Sequence, residues 1–299
     1  MLEKLGLDHL QQSDLIGLLV TYAIWFSIII LQLVLIIHRF KSAIKRWEVG
    51  VIVGLTVTII WMPQKLMGAM VVSHLSESFL PEFVAAMIRM VVLGCVIILW
   101  YMMTFGTGAS YWSDAHQGGY VLLDKKQIQG RGWDGIWTKL LLSVLIGFVL
   151  SVITLAAFHL IGISKGNISQ QNADVLRETG VLEKIPSIIY IMAMFSYVMF
   201  AAITEEIAFR GLLLPWLAKL FGWKDGYAIG FWIGAVIVSI VWAFMHITNS
   251  NMPAVKIAQI FIIGLFFCWM AKKWGVESAI FGHLSLNITA TLSSLIFNV

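Results

Sequence analysis

Long apolar runs separated by short polar loops dominate this chain. A membrane-spanning helix needs about 20 mostly apolar residues, and eight runs qualify. They cover approximately residues 15–38, 49–72, 83–105, 137–163, 187–204 continuing toward 221, 227–247, 254–272 and 278–297. The pattern predicts an all-α, polytopic membrane helix bundle with about eight transmembrane helices, in the cell membrane. The fifth run is too long for a straight span, so it should tilt or continue as an amphipathic extension.

Composition narrows the class of protein further. Of 299 residues, 60% are hydrophobic and 12% are charged, whereas soluble domains carry about 25% charged residues. The net charge of +4 is small. The Lys and Arg residues of the chain fall mostly in short loops, where they indicate how the protein is oriented in the membrane. They give no support for nucleic-acid binding.

The basic loops predict the orientation of the bundle. Cytoplasmic loops carry an excess of Lys and Arg, and here the loops after the first, third, fifth and seventh runs are basic. Both chain ends should then be extracytoplasmic. The Gly-rich segment 105–136 is predicted to be a structured cytoplasmic loop, and 164–186 an external loop. Residues 1–136 should form an N-terminal scaffold of three spans plus this loop, and 137–299 a C-terminal transmembrane region.

Polar residues inside the last four runs are the candidates for function. A charge near the bilayer centre costs about 2.5–3.5 kcal/mol even on the most permissive scale. The segments TEEIAFRG, WAFMH and HLSLN nevertheless interrupt the apolar sequence. They supply Glu205, Glu206, Arg210, His246, His283 and Asn287.

Helical spacing sorts these residues. Glu206 and Arg210 are four apart, with the acid on the N-terminal side, which favours an ion pair. Glu205 is displaced from Arg210 by about 140° around a helix, so its carboxylate should point elsewhere. His283 and Asn287 are also four apart and share one face of the last helix.

This set of residues suits a hydrolase. A carboxylate in a low-dielectric cavity, together with a histidine, can deprotonate water, and a second histidine with an asparagine amide can donate hydrogen bonds to an oxyanion. Two histidines and a glutamate could equally bind zinc, although the ligands would come from three helices. Alternatively, these residues are structural: the Glu206–Arg210 pair stabilises one helix, and the histidines form hydrogen bonds between helices. His38, His159 and Arg89 are predicted to be structural.

Three motifs in fixed order resemble a known family. They are E-E-x-x-x-R at Glu205–Arg210, aromatic-x-x-x-His at Trp242–His246 and H-x-x-x-N at His283–Asn287. Over about residues 187–297 the chain resembles the CPBP family, which contains CAAX prenyl endopeptidases of type II and bacteriocin-processing or self-immunity proteins, also called the Abi family. Trp242 stands where that family usually has Phe.

The resemblance implies an intramembrane glutamic endopeptidase without a metal cofactor, and zinc stays open as the alternative. Glu205 with His246 would activate the attacking water, and His283 with Asn287 would form the oxyanion hole. The supporting residues would be Glu206 and Arg210. The implied partners are the lipid bilayer and a membrane-associated peptide or protein, lipidated or bacteriocin-like. The alternatives are a non-catalytic membrane binding or immunity protein and a proton-coupled transporter.

The spacing of the two histidines creates a difficulty for ideal spans. With 1.5 Å per residue, His246 lies about 28 Å along the sixth run and His283 only about 8 Å into the last. Because these two helices run in the same direction, the histidines would sit at different depths. Either the sixth helix begins outside the membrane, or the loop near Gly275 is sunk into it.

Overall fold

The apolar runs fold into helices. A computed structural model describes residues 12–75, 79–114, 119–120, 132–160, 187–222, 228–247 and 252–297. Its long helices are α1 (Gln12–His38), α3 (Trp47–Leu75), α4 (Phe79–Asp114), α5 (Trp133–Leu160), α6 (Ser187–Glu206), α8 (Ala228–Phe244), α9 (Pro253–Trp274) and α10 (Val276–Phe297). The short helices are α2 (Phe40–Ile44) and α7 (Leu214–Leu220), and a π-helical segment, Ile207–Leu213, joins α6 to α7.

Membrane insertion follows from the length and apolar character of these helices. Six of the helical stretches in the described part of the chain are long and apolar enough to span a bilayer. Large apolar side chains such as Tyr22, Val91 and Leu141 are exposed on the outside of the bundle, where hydrocarbon chains would solvate them. The chain is therefore a multi-pass integral membrane protein with an all-α fold, as predicted.

The predicted number of eight spans is not confirmed. A helix occupies each of the eight apolar runs, but two of them are not among the six. Helix α8 is apolar but short, with Ile229–Phe244 as its apolar stretch. Helix α10 carries Glu277, His283 and Asn287 together with several hydroxyl side chains.

The predicted loop at 105–136 is wrong in its first part, because α4 continues to Asp114. The glycines that suggested a loop serve close helix packing instead. A Cβ on Gly106 would overlap the backbone of Ala43, and one on Gly108 would overlap the backbone of Gly211. Two glycines on nearly opposite faces of the helix, about 200° apart at 100° per residue, thus bring α4 against α2 on one side and against the π-helical segment on the other. The division at residue 136 and the external loop 164–186 stay predictions; the latter lies outside the described residues.

The long fifth run is helical from Ser187 to Leu220, but its middle part, the π-helical segment, has a wider hydrogen-bond register than the α-helices on either side. Within this segment the N–H of Leu214 bonds to the carbonyl of Phe209, five residues back. The same register would pair the carbonyl of Arg210 with Pro215, which has no N–H to donate. The indole Nε1–H of Trp112 donates to the Arg210 carbonyl instead, at 3.2 Å.

Ion pairs join several helix ends at one end of the bundle. The Asp114 carboxylate lies 2.8 Å from Nη2 of Arg39 and 2.6 Å from Nζ of Lys219. Arg39 directly follows the first apolar run, Asp114 ends the helix of the third, and Lys219 lies near the end of the fifth. Their meeting agrees with the prediction that the basic loops after these runs share one side of the membrane.

Candidate active site

Glu206 lies at the centre of a buried charged group. Its side chain is fully buried, as is that of Arg210, and Nη1 of Arg210 donates to Oε1 of Glu206 at 3.0 Å. Nη2 of Arg210 donates to the backbone carbonyl of Gly264 on α9 at 3.3 Å. The ion pair expected from the four-residue spacing is confirmed, and it also ties the π-helical segment to a neighbouring helix.

His283 joins the same carboxylate from α10. Its Nδ1 lies 3.0 Å from Oε1 of Glu206. A carboxylate paired with arginine is ionised and only accepts hydrogen bonds, so Nδ1 of His283 is the donor. This contact fixes the orientation of the imidazole and leaves Nε2 as the ring nitrogen that can meet another group.

Glu205 is held separately from Glu206, as the helical spacing predicted. Its Oε2 accepts a hydrogen bond from the indole Nε1–H of Trp242 at 2.6 Å. Glu205 is also partly exposed, whereas Glu206 is fully buried. The two adjacent carboxylates therefore have different partners: one belongs to an ion pair, and the other remains accessible.

His246 completes the cluster in the turn that follows α8. Its Nδ1 donates to the backbone carbonyl of Trp242 at 2.9 Å, which again leaves Nε2 as the second ring nitrogen. The Trp242 ring lies edge-on to His246 at a centroid distance of 5.2 Å and to His283 at 5.4 Å. Glu205, His246 and His283 therefore converge around one indole.

This convergence resolves the problem that ideal spans would place His246 and His283 at different depths. The rings of His246 and His283 lie 5.2 and 5.4 Å from the Trp242 ring between their centroids, much closer together than ideal straight spans would allow. The turn before α10 provides the offset: Gly275 and Val276 are buried, and the N–H of Val276 donates to the carbonyl of Gly119 at 2.9 Å. The start of α10 is sunk into the protein, and backbone from the segment after α4 covers it.

A glycine contact sets the position of α10. A Cβ on Gly147 of α5 would overlap the backbone carbonyl of Gly282, the residue before His283. The two backbones pack directly against each other because neither residue has a side chain at this point. The placement of His283 thus depends on α5 as well as on Glu206.

The remaining predicted residues lie at the margin of this cluster. Asn287 follows His283 by one turn of α10 and is half-buried, and within the described residues it makes no hydrogen bond to the other site residues. His38 and His159 are exposed at the ends of α1 and α5, and Arg89 is exposed on α4.

The sequence pattern did not predict the π-helical segment that carries Arg210. Such segments often occur at functional sites. Its signals are Gly211, where a Cβ would overlap the hydroxyl of Tyr120, and Pro215, which removes a donor from the helix. The segment shifts the helical register directly after Glu206, between the two carboxylates and the rest of the run.

An apolar cavity of about 510 Å³ lies between α1, the π-helical segment with α7, and α8. Ser27 and Trp216 bring a hydroxyl and an indole N–H to its lining, and the Ser27 hydroxyl donates to the carbonyl of Ala23 on the same helix. Phe209 and Val241 also line it, and they are sequence neighbours of Arg210 and Trp242. The cavity therefore borders the helices that carry the site and offers hydrocarbon-like surroundings.

The described residues contain no group of three or more His, Cys, Asp or Glu side chains arranged to hold one metal ion. In this arrangement Glu206 is engaged by Arg210, and Glu205 by an indole N–H. The zinc alternative stays a prediction, and a chelator tests it directly.

The comparison with protein families agrees with the resemblance seen in the motifs. Residues 187–289 match the family model described as type II CAAX prenyl endopeptidase Rce1-like. No curated protein and no solved structure is similar enough to count as a match. The matched region contains all six predicted site residues, and it is similar to a family of membrane peptidases.

Proposed function

We propose that the chain is an intramembrane endopeptidase that hydrolyses a peptide bond in a membrane-associated peptide or protein. The observation that carries the proposal is the convergence of Glu205, His246 and His283 around Trp242. This convergence lies within the region that matches a peptidase family. A lipidated protein, as in that family's name, and a bacteriocin-like peptide are the candidate substrates.

Glu205 is the proposed base. It is the accessible carboxylate of the pair, and His246 lies close enough to interact with it electrostatically. In the first step Glu205, assisted by Nε2 of His246, takes a proton from water while the water oxygen bonds to the carbonyl carbon. The electron pair of the carbonyl π bond moves to the carbonyl oxygen, which becomes an oxyanion.

His283 and Asn287 are the proposed oxyanion donors. Because Nδ1 of His283 donates to Glu206, its Nε2 can donate to an oxyanion only when the ring is an imidazolium ion. The Glu206 carboxylate supports that cation. When the tetrahedral intermediate collapses, the C–N bond breaks, and the proton taken from water goes to the leaving amine nitrogen. Glu206 and Arg210 act as supports.

The apolar cavity suits a substrate that enters from the bilayer. Its lining is almost entirely apolar, so a lipid chain or apolar side chains of the substrate would fill it favourably. Binding there would bring the adjoining peptide bond toward the helices that carry Glu205 and His246. This gives a physical reason for a membrane-associated substrate.

The test uses the full chain reconstituted in liposomes and a quenched fluorescent peptide, with and without a farnesylated cysteine. Wild-type protein should cleave at least one of the two peptides, Glu205→Gln should lose cleavage, and Glu48→Gln should retain it. Glu48 is a matched control because it is an exposed glutamate at the start of α3.

A chelator added to the same assay separates the mechanisms. Cleavage that survives the chelator supports a water activated by Glu205, whereas lost cleavage that zinc restores supports the metal alternative. If Glu205, His246 and His283 can each be replaced without any change in cleavage or phenotype, the enzyme proposal is wrong. A binding or immunity protein, or a proton-coupled transporter, then becomes the better description.

A further inference from the structure

Trp242 contacts four of the proposed site residues, although the proposed function gives Trp242 itself no role. Its indole N–H donates to Glu205, its backbone carbonyl accepts from His246, and its ring lies edge-on to both histidines. The guanidinium carbon of Arg210 lies 4.3 Å from the centroid of the same ring. The side chain is 1% exposed, so these contacts are shielded from water.

We infer that Trp242 is a positioning residue whose indole N–H holds the carboxylate of Glu205 in its reactive orientation. The inference rests on the proposed function and names a residue to which that function gives no role. A glutamate side chain has three rotatable bonds, and one short hydrogen bond to a charged oxygen restricts all of them. The N–H therefore decides which carboxylate oxygen is engaged and leaves Oε1 for the water.

The three kinds of contact at Trp242 can be separated by substitution. The acceptor for His246 is a backbone carbonyl, which every residue at this position retains. The contacts of the Trp242 ring with His283 and Arg210 need an aromatic side chain but no N–H. Only the contact with Glu205 needs the indole nitrogen. Phenylalanine keeps an aromatic ring and the carbonyl while it removes the one hydrogen bond to Glu205.

The first experiment compares Trp242→Phe with Trp232→Phe in the liposome assay. Trp232 lies on the same helix and is 41% exposed, so it controls for the loss of an indole from α8. Loss of a hydrogen bond to a charged group predicts a roughly 10- to 100-fold fall in kcat for Trp242→Phe. Substrate binding is not at issue, so KM should change much less. The Trp232→Phe control should stay within about 2-fold of wild type.

A second variant separates the hydrogen bond from ring size. Benzothienylalanine, incorporated at position 242 alone, has nearly the shape of tryptophan but a sulfur in place of the N–H. We expect it to lose kcat as Trp242→Phe does. If this variant retains wild-type kcat, or if the loss in Trp242→Phe appears only in KM, the inference is overturned.

A stability measurement keeps this inference distinct from the proposed function. Melting temperatures of Trp242→Phe, Glu205→Ala and the double variant should be non-additive, because both single changes remove the same hydrogen bond. Additive shifts would overturn the positioning role even in an active enzyme. Failure of the proposed function looks different, since cleavage would then be unaffected by Glu205→Gln while the coupling between Trp242 and Glu205 persisted.

Discussion

Nδ1 of His283 lies 3.0 Å from Oε1 of Glu206, although 77 residues separate them along the chain. Arg210 donates to the same oxygen from within one helical turn of Glu206. One carboxylate oxygen thus connects the π-helical segment to α10. The contact gives His283 a defined donor, Nδ1, and a defined second nitrogen, Nε2, which substitutions can distinguish.

Replacing His283 by Gln or Asn tests which ring nitrogen is needed for the reaction. The amide nitrogen of Asn mimics Nδ1, and that of Gln mimics Nε2. If Nε2 donates to the oxyanion, His283→Asn should lower kcat by about 10²- to 10³-fold, and His283→Gln should retain roughly ten times more activity than His283→Asn. Steady-state kinetics measures both, and greater activity in the Asn variant would contradict the proposed role.

The buried ion pair makes a prediction about stability. Removing one partner of a buried pair typically costs about 3–5 kcal/mol, because a charge is left uncompensated. We expect this loss for Arg210→Met and a partial recovery in Arg210→Met with Glu206→Leu, measured by thermal unfolding in detergent. Lys219→Met breaks a pair with Asp114 in which both side chains are more than one-third exposed, and it should cost less than about 1 kcal/mol. Equal losses of stability in Arg210→Met and Lys219→Met would refute this ranking.

The π-helical register makes a third prediction. Trp112→Phe removes the donor to the Arg210 carbonyl, and an unsatisfied buried acceptor costs about 1–3 kcal/mol. Pro215→Ala returns a backbone N–H that can bond to this carbonyl in the existing register. The double variant should therefore melt at a higher temperature than Trp112→Phe alone. Without such a recovery, the account of the π-helical segment given above is wrong.

The contact between α5 and α10 makes a fourth prediction. Gly147→Ala places a methyl group against the backbone of Gly282, and such overpacking typically costs about 1–3 kcal/mol. Because Gly282 precedes His283, cleavage should fall together with the melting temperature. Gly135→Ala in the same helix is the control, since a Cβ there meets no atom within 4 Å. It should be neutral or stabilising by about 0.5–1 kcal/mol, and a loss at Gly135 equal to that at Gly147 would contradict this explanation.

Local spacing predicted the parts of the site that lie on one helix. The four-residue interval gave the ion pair of Glu206 with Arg210, and the angle around the helix separated Glu205 from it; both are confirmed. The matched family region confirms the resemblance drawn from the three motifs. The roles assigned to Glu205, His246, His283 and Asn287 stay predictions.

Contacts between helices could not be read from one sequence. The bond from His283 to Glu206 and that from Trp242 to Glu205 depend on how α8 and α10 sit beside α6. The extension of α4 was missed because its glycines were interpreted as loop formers. A helix contains such glycines where another backbone approaches, and only the tertiary structure shows that backbone.

The hydrogen bond from Trp112 to Arg210 also has an evolutionary consequence. It spans 98 positions of the chain, yet it compensates for a donor that is missing because of Pro215. A lineage that replaced this proline would regain a backbone donor and would no longer need the indole at 112. Selection on these two positions is therefore linked, and they should change together among descendants of the same ancestor.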